Sequence, residues 1–239
     1  MPKAPTARER AREELTREIK VEARRQLATH GAEGLSLRAV ARELGMVSSA
    51  LYRYYPSRDE LLTALILDAY NAVAEQVEQA VAKRRTGDFL GRWRAACNAV
   101  REWGLANPQE YALIYGSPVV GYRAPRDTAA PAARVPVVLL RIVQDSHQAG
   151  KLADAPNRPA LSPAAARQVD LIVEAVEDLD LDLRPVPRAN LAAVVIAWTQ
   201  LYGMVSFELF GHLEGVIDDK QVMFEHATNQ LAHLVGLRR

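Results

Sequence analysis

The chain has almost no cysteine. Cys97 stands alone among 239 residues, so no disulfide can form within the chain, and a reducing compartment suits it. Its small apolar neighbours, Ala95, Ala96, Ala99 and Val100, make the thiol read as a buried hydrophobe rather than a reactive group. Excess charge is missing too: 30 Lys and Arg face 29 Asp and Glu, a net +1. That balance excludes a nucleic-acid binder that works by bulk charge alone. The signatures of common enzymes are absent: no G-x-S-x-G elbow, no H-E-x-x-H, no phosphate-binding G-x-x-x-x-G-K-(S/T) and no C-x-x-C. The histidines (His30, His147, His212, His226 and His233) never fall four apart as metal ligands on a helix would. The acidic run Glu177, Asp178, Asp180 and Asp182 lacks the glycine and spacing of a calcium loop and reads as a solvated face. No enzyme, cofactor or metal is expected.

Long apolar runs are almost absent as well. The N-terminal stretch PKAPTARERAREELTRE is charged and has no apolar segment of the kind that heads a secretory signal, so a cytoplasmic protein is expected. Leu191 to Leu213 is long enough to span a bilayer, but Gln200, Glu208 and His212 are costly in hydrocarbon. A helix buried in a bundle or against a second subunit is the expectation there. Alternation of strand type is confined to DLDLDL at 178–183, which reads as a frayed helix end before Pro185. Everything else repeats with helical period, so the fold class expected is all-α.

What is present is concentrated between Leu35 and Leu62. Ser36 is an N-cap, and Leu37, Val40, Ala41 and Leu44 follow at helical spacing. Gly45 supplies a left-handed stop. A second short helix buries Ala50, Leu51 and Tyr54 or Tyr55 and presents Ser48, Ser49, Tyr52 and Arg53. Pro56 ends it, and Ser57 caps a long helix with Asp59 and Glu60 in its first turn. Helix, glycine turn and helix with a small polar face is a helix-turn-helix, whose second helix enters the major groove. Residues 1–60 carry 12 Lys or Arg against 9 Asp or Glu, a mild basic excess.

These residues resemble the DNA-binding domain of the TetR family of transcriptional regulators. Gly34, Ser36, Val40-Ala41, Gly45, Leu51-Tyr52, Tyr54-Tyr55, Ser57, Arg58 and Leu61 stand at the family's pattern positions, with Ile19, Ala23, Leu27 and Gly31 as its first helix and stop. Val47, Ala50, Tyr54 and Arg58 depart from the usual Ser, Thr, His and Lys. WTQLYGMVSFEL at 198–209 and NPQEYALIYGSPVVGY at 107–122 are similar to the C-terminal domain class named for its W-H-G residues, with Tyr202 in place of the His. The resemblance implies a ligand-responsive regulator, with repression as the family's habit and activation as the alternative. It also implies a homodimer on a palindromic operator of double-stranded DNA, released by a small-molecule inducer.

On that reading Ser36, Ser48, Tyr52 and Arg58 contact phosphates, which set position rather than sequence. Arg53 and Tyr54, with Arg38 and Ser49, are candidates for base edges. Tyr54 has core packing as its alternative, and Val47 either packs or meets a thymine methyl. The expected organisation is a charged extension at 1–12, a DNA-binding domain at 13–60 and a ligand-binding and dimerisation domain at 61–239. Trp93, Cys97, Trp103, Tyr111, Tyr115, His147 and Trp198 are candidates to line a ligand cavity, each with ordinary core packing as its alternative. Ala192, Gly203, Ser206, Phe210, Leu231 and Leu234 are candidates for the dimer surface, unless they pack within one subunit.

Overall fold

Thr6 starts the first helix by a reciprocal cap: its Oγ1 accepts from the Glu9 amide at 3.2 Å, and the Glu9 carboxylate accepts from the Thr6 amide at 2.6 Å. The helix it opens, α1 (Ala7–His30), therefore takes in half of the stretch expected to be a charged extension. The structure, a computed structural model, describes residues 6–153, 160–179 and 181–238. Among these residues it is all-α, with short 3-10 turns between some of the helices.

Ile19, Ala23 and Leu27 form the buried face of α1. They pack with Leu35, with Leu37, Val40 and Ala41 of α2 (Leu37–Glu43), and with Leu51 of α3 (Ser48–Leu51). Leu61, Leu62, Leu65 and Ile66 of α4 (Arg58–Ala82) close this core. A later segment returns to it. Within α6 (Pro108–Tyr115), Glu110 accepts from Arg24 Nε at 2.6 Å. Leu113, Ile114 and Tyr122 lie against the same cluster, and Tyr122 shares a hydrogen bond with Thr63 at 2.8 Å. Contacts accordingly divide the chain into two units. One takes the residues up to Asn71 with Asn107–Ala129; the other takes Ala72–Ala106 with Ala130 onward. The expected boundary after residue 60 falls inside the first unit, because Leu61, Leu62 and Leu65 are fully buried in its core.

The second unit contains the end of α4, α5 (Phe89–Ala106), α7 (Ala129–Gln148), α8 (Pro163–Ala175), α9 (Arg188–Leu209) and α10 (Lys220–Val235). The α7 helix begins at Ala129 and runs through Pro136. Proline there forfeits one backbone hydrogen bond, and burial of Val135, Leu139, Leu140, Ile142 and Val143 offsets it. Half of the Pro-rich stretch at 152–163, and Asp180 of the acidic run, lie outside the described residues. By length and composition alone α9 is apolar enough to cross a membrane. It is instead packed among α5, α8 and α10, with Leu191, Val194, Ala197, Leu201 and Val205 buried.

Two polar anchors fix α9 in register. The buried Asn190 amide donates to the Val235 carbonyl at 2.9 Å. Arg101 on α5 grips Glu208 through two bonds of 2.7 and 2.6 Å, with both side chains only 10% exposed. The same guanidinium donates to Gln221 and lies over the Phe224 ring at 5.3 Å. Charge, hydrogen bonds and ring thus tie three helices at one point.

Candidate nucleic-acid interface

Ser36 Oγ accepts from the Ala39 amide at 3.4 Å, fixing the start of α2. Gly45, at φ 65°, turns the chain out of it, and the Met46 amide then bonds the Ala41 carbonyl at 2.8 Å. Only four residues of the second helix are α-helical. Beyond Leu51 the ladder tightens into a turn, in which the Tyr54 amide bonds the Leu51 carbonyl at 2.8 Å and the Tyr55 amide reaches it at 3.1 Å. The recognition element is therefore shorter than the stretch to Tyr54 expected from the pattern. Pro56 follows at once, and a tight last turn is the ordinary way to satisfy the final carbonyls.

One side of this element is buried and the other is open. Leu51 and Tyr55 enter the core. Ser48, Ser49, Tyr52 and Arg53 are exposed, Tyr52 by 41%. Arg38 on α2 is also exposed, and neither Arg38 nor Arg53 has an ion-pair partner among the described residues. Val47, 70% exposed immediately before α3, is an apolar side chain left in water. Tyr54 is half-buried against the core, and the Arg12 guanidinium lies 5.8 Å from its ring centroid. Of its two alternatives the packed one is seen. Arg58 donates to the Ala32 carbonyl at 2.7 Å and approaches Asp59 at 3.4 Å, so it fastens the start of α4 to the turn after α1. Its fork retains further N–H groups for an anion. Ser57 Oγ accepts from the Glu60 amide at 3.2 Å, as its capping position implies.

The residues expected to line a cavity are distributed differently. Trp93, Cys97 and Trp103 are buried on α5, with the Trp93 indole N–H donating to the Thr228 carbonyl at 3.2 Å. Burial alone pushes the Cys97 thiol far above its ordinary pKa. Tyr111 and Tyr115 belong to the first unit, their rings 5.0 Å apart. His147 on α7 and Trp198 on α9 are half-buried. None of the seven lines the apolar groove between α9 and α10; Trp93, Cys97, Trp103 and Tyr111 are core residues, whereas Tyr115 is half-buried like His147 and Trp198.

Of the residues expected at a dimer surface, Leu231 points into the core of the second unit. Ala192, Gly203, Ser206 and Leu234 are half-buried and Phe210 is exposed. Ile196 and Phe207 join Phe210 on the outer side of α9, and Val222 and Met223 are exposed on α10. Sequence reasoning passed over these. The signal was available, since Ile196, Gly203, Phe207 and Phe210 repeat at i, i+7, i+11 and i+14, a single helical stripe. Between α9 and α10 lies a mainly apolar groove of about 400 Å³, which includes Gly203, Met204, Phe207 and Met223.

Known proteins share these features. The family described as bacterial regulatory proteins, tetR family, matches residues 19–65, and the tetracyclin repressor-like C-terminal domain matches residues 93–231. HTH-type transcriptional regulator Rv1816 of Mycobacterium tuberculosis is 54% identical over 130 residues, 52% of this chain and 54% of that protein. The chain thus aligns with about half the length of such curated relatives. The HTH-type transcriptional repressor DrrR1 of Streptomyces coeruleorubidus is 43% identical over 93 residues, 38% of this chain and 31% of that one. The crystal structure of the candidate regulatory protein SCO4313 superposes with a TM-score of 0.74 at 35% identity, covering 95% of this chain and 100% of the other. An all-α architecture opening on a helix-turn-helix, a C-terminal domain matched over more than half of the sequence, and a full-length structural relative above 30% identity place the chain in the TetR family of bacterial regulatory proteins, a family of regulators and not of enzymes.

Proposed function

We propose that the protein is a cytoplasmic transcriptional regulator that binds duplex DNA through the helix-turn-helix face of Ser48, Ser49, Tyr52 and Arg53. The observation that carries this reading is the polarity of that short element. Leu51 is fully buried, while Tyr52 and Arg53 stand exposed, as does Arg38 on α2, with no acid paired to either cation among the described residues. Arg53 and Arg38 are the base-edge candidates, and Ser36, Ser48, Tyr52 and Arg58 the phosphate contacts.

One such element covers too few base pairs for useful affinity, so the protein acts as a two-fold dimer on a palindrome with half-sites about 34–36 Å apart. The exposed stripe of Ile196, Phe207 and Phe210 with Val222 and Met223 supports a second copy as the occupant of that surface. Repression is favoured over activation because DrrR1, 43% identical over 93 residues, is a transcriptional repressor. Release by a small-molecule inducer bound in the second unit completes the reading. Two buried polar atoms there, Gln144 Oε1 and Trp198 Nε1, have no hydrogen-bond partner among the described residues, and each leaves a polar group for a bound ligand to satisfy.

The test is to recover the genomic fragments the protein retains, then compare wild type with a Tyr52→Ala/Arg53→Ala variant by fluorescence anisotropy. Each good base contact is worth about 1–3 kcal/mol, so preference for the retained fragment over random duplex should fall by about tenfold or more while the melting temperature stays put. Unchanged preference would remove this face from the interface.

A further inference from the structure

The second half of α1 packs on the helix-turn-helix through Ile19, Ala23 and Leu27, and the same face continues toward the N-terminus past the end of that core. Counting back from Ile19 by i−4, i−7 and i−11 gives Leu15, Arg12 and Arg8. Leu15 still touches the core, whereas Arg12 and Arg8 are exposed. A helix that only needed burial would end at Leu15 or carry apolar side chains further. This one is extended by two turns, held by the Thr6–Glu9 cap, with arginines in core register.

The arginines of the first turns differ from the cations further along the helix. Lys20 is neutralised by Asp68 at 2.8 Å, and Arg24 by Asp68 at 2.9 Å and Glu110 at 2.6 Å. Arg17 pairs with Glu14, and Arg25 with Glu22. Arg8, Arg10 and Arg12 have no carboxylate partner among the described residues; Arg8 and Arg12 share the face of Ile19, whereas Arg10 lies on the opposite one. Like charges four apart on a helix repel, so an outside anion is the partner that would stabilise them. Direction is fixed by Arg12, which lies over the ring of Tyr54 at the end of the recognition turn.

The geometry points to a second DNA-contacting element: the first turns of α1, with Arg8 and Arg12 bound to phosphates of the same duplex that the helix-turn-helix engages. This rests on the DNA-binding reading, and adds to it a contact outside the helix-turn-helix. Arg12 keeps its stack on Tyr54 while its outer N–H groups meet the backbone, and Arg8 reaches it one turn further out. The contact carries no sequence information; it raises affinity and lengthens the footprint.

Salt dependence measures it. Each phosphate contact contributes about 0.9 to the slope of log affinity against log salt. With a 30-base-pair duplex of random sequence, an R8Q/R12Q variant should lose about 1.8 from the wild-type slope. Its affinity deficit would then shrink about twelvefold between 50 and 200 mM salt. An R10Q/R17Q variant removes equal charge from another side of α1 and should keep the wild-type slope, and R8K/R12K should restore it. An unchanged slope in R8Q/R12Q, or an equal fall in R10Q/R17Q, overturns the proposal. If the wild type itself shows no salt-dependent binding, the underlying DNA reading is what fails.

Discussion

Replacing Arg101 by Met should be among the most damaging single changes in the second unit. The substitution keeps the length and apolar stem of the side chain but removes the charge gripping Glu208, the donor to Gln221 and the cation over Phe224. Glu208 would be left with its carboxylate in a site where 10% of the side chain is exposed. Breaking a buried pair from one side costs about 3–5 kcal/mol, because the stranded charge must be desolvated without compensation. In a chain of this size each kcal/mol moves the melting temperature by about 2–4 °C, so the expected fall is about 6–20 °C. The assay is thermal unfolding followed by far-ultraviolet circular dichroism at one fixed protein concentration, since association also moves the midpoint. An R101M/E208L double variant removes both charges and should recover much of the loss. The exposed Arg17–Glu14 pair is the control, worth less than about 1 kcal/mol. A loss in R101M no larger than in R17M, or a double variant that loses as much as the two singles together, would refute the reasoning.

Two further outcomes follow from buried positions. Cys97 is fully buried and its thiol is held protonated by burial, so a disulfide reagent at pH 8 should leave it untouched in the folded protein and titrate it completely in denaturant. Gly236 ends α10 at φ 95°, where an added Cβ would lie 2.5 Å from both the Ala153 carbonyl oxygen and the Asn190 amide. Gly236→Ala should lower stability by at least about 1–3 kcal/mol in urea unfolding, whereas Gly45→Ala, strained but with open space around it, should cost only about 1 kcal/mol.

Much of the architecture was legible because period and caps agree. Ser36, Gly45 and Ser57 punctuate the helix-turn-helix where the pattern put them. Local signals failed where tertiary packing outweighed them. Pro118 and Pro125 do mark a loop, but Pro131 and Pro136 do not extend it, because the apolar face beginning at Val135 keeps α7 helical through Pro136. Which tyrosine would be buried was not legible from spacing alone. Leu51 sets the inward direction, and the tightened turn after it sends Tyr55 into the core, leaves Tyr54 half in and Tyr52 out. The aromatic residues of the middle helices could not be sorted either, because a tryptophan in a core and one in a cavity have the same periodicity. Leu231 and Phe207 show the converse. Both are large and apolar, and only the packing of α9 on α10 turns one inward and leaves the other in water.

The return of α6 to the first unit limits how this protein can be dissected. A fragment stopped near Asn71 would keep every residue of the reading head, but would strip Tyr115 from Tyr70, leave Arg24 without Glu110 and leave Thr63 without Tyr122. Because the polypeptide passes between the units three times, a single scission cannot release the DNA-binding part whole. A faithful miniature would have to splice 107–129 back on, and its recovery of cooperative melting would report how much of the head's stability is borrowed from that distant stretch.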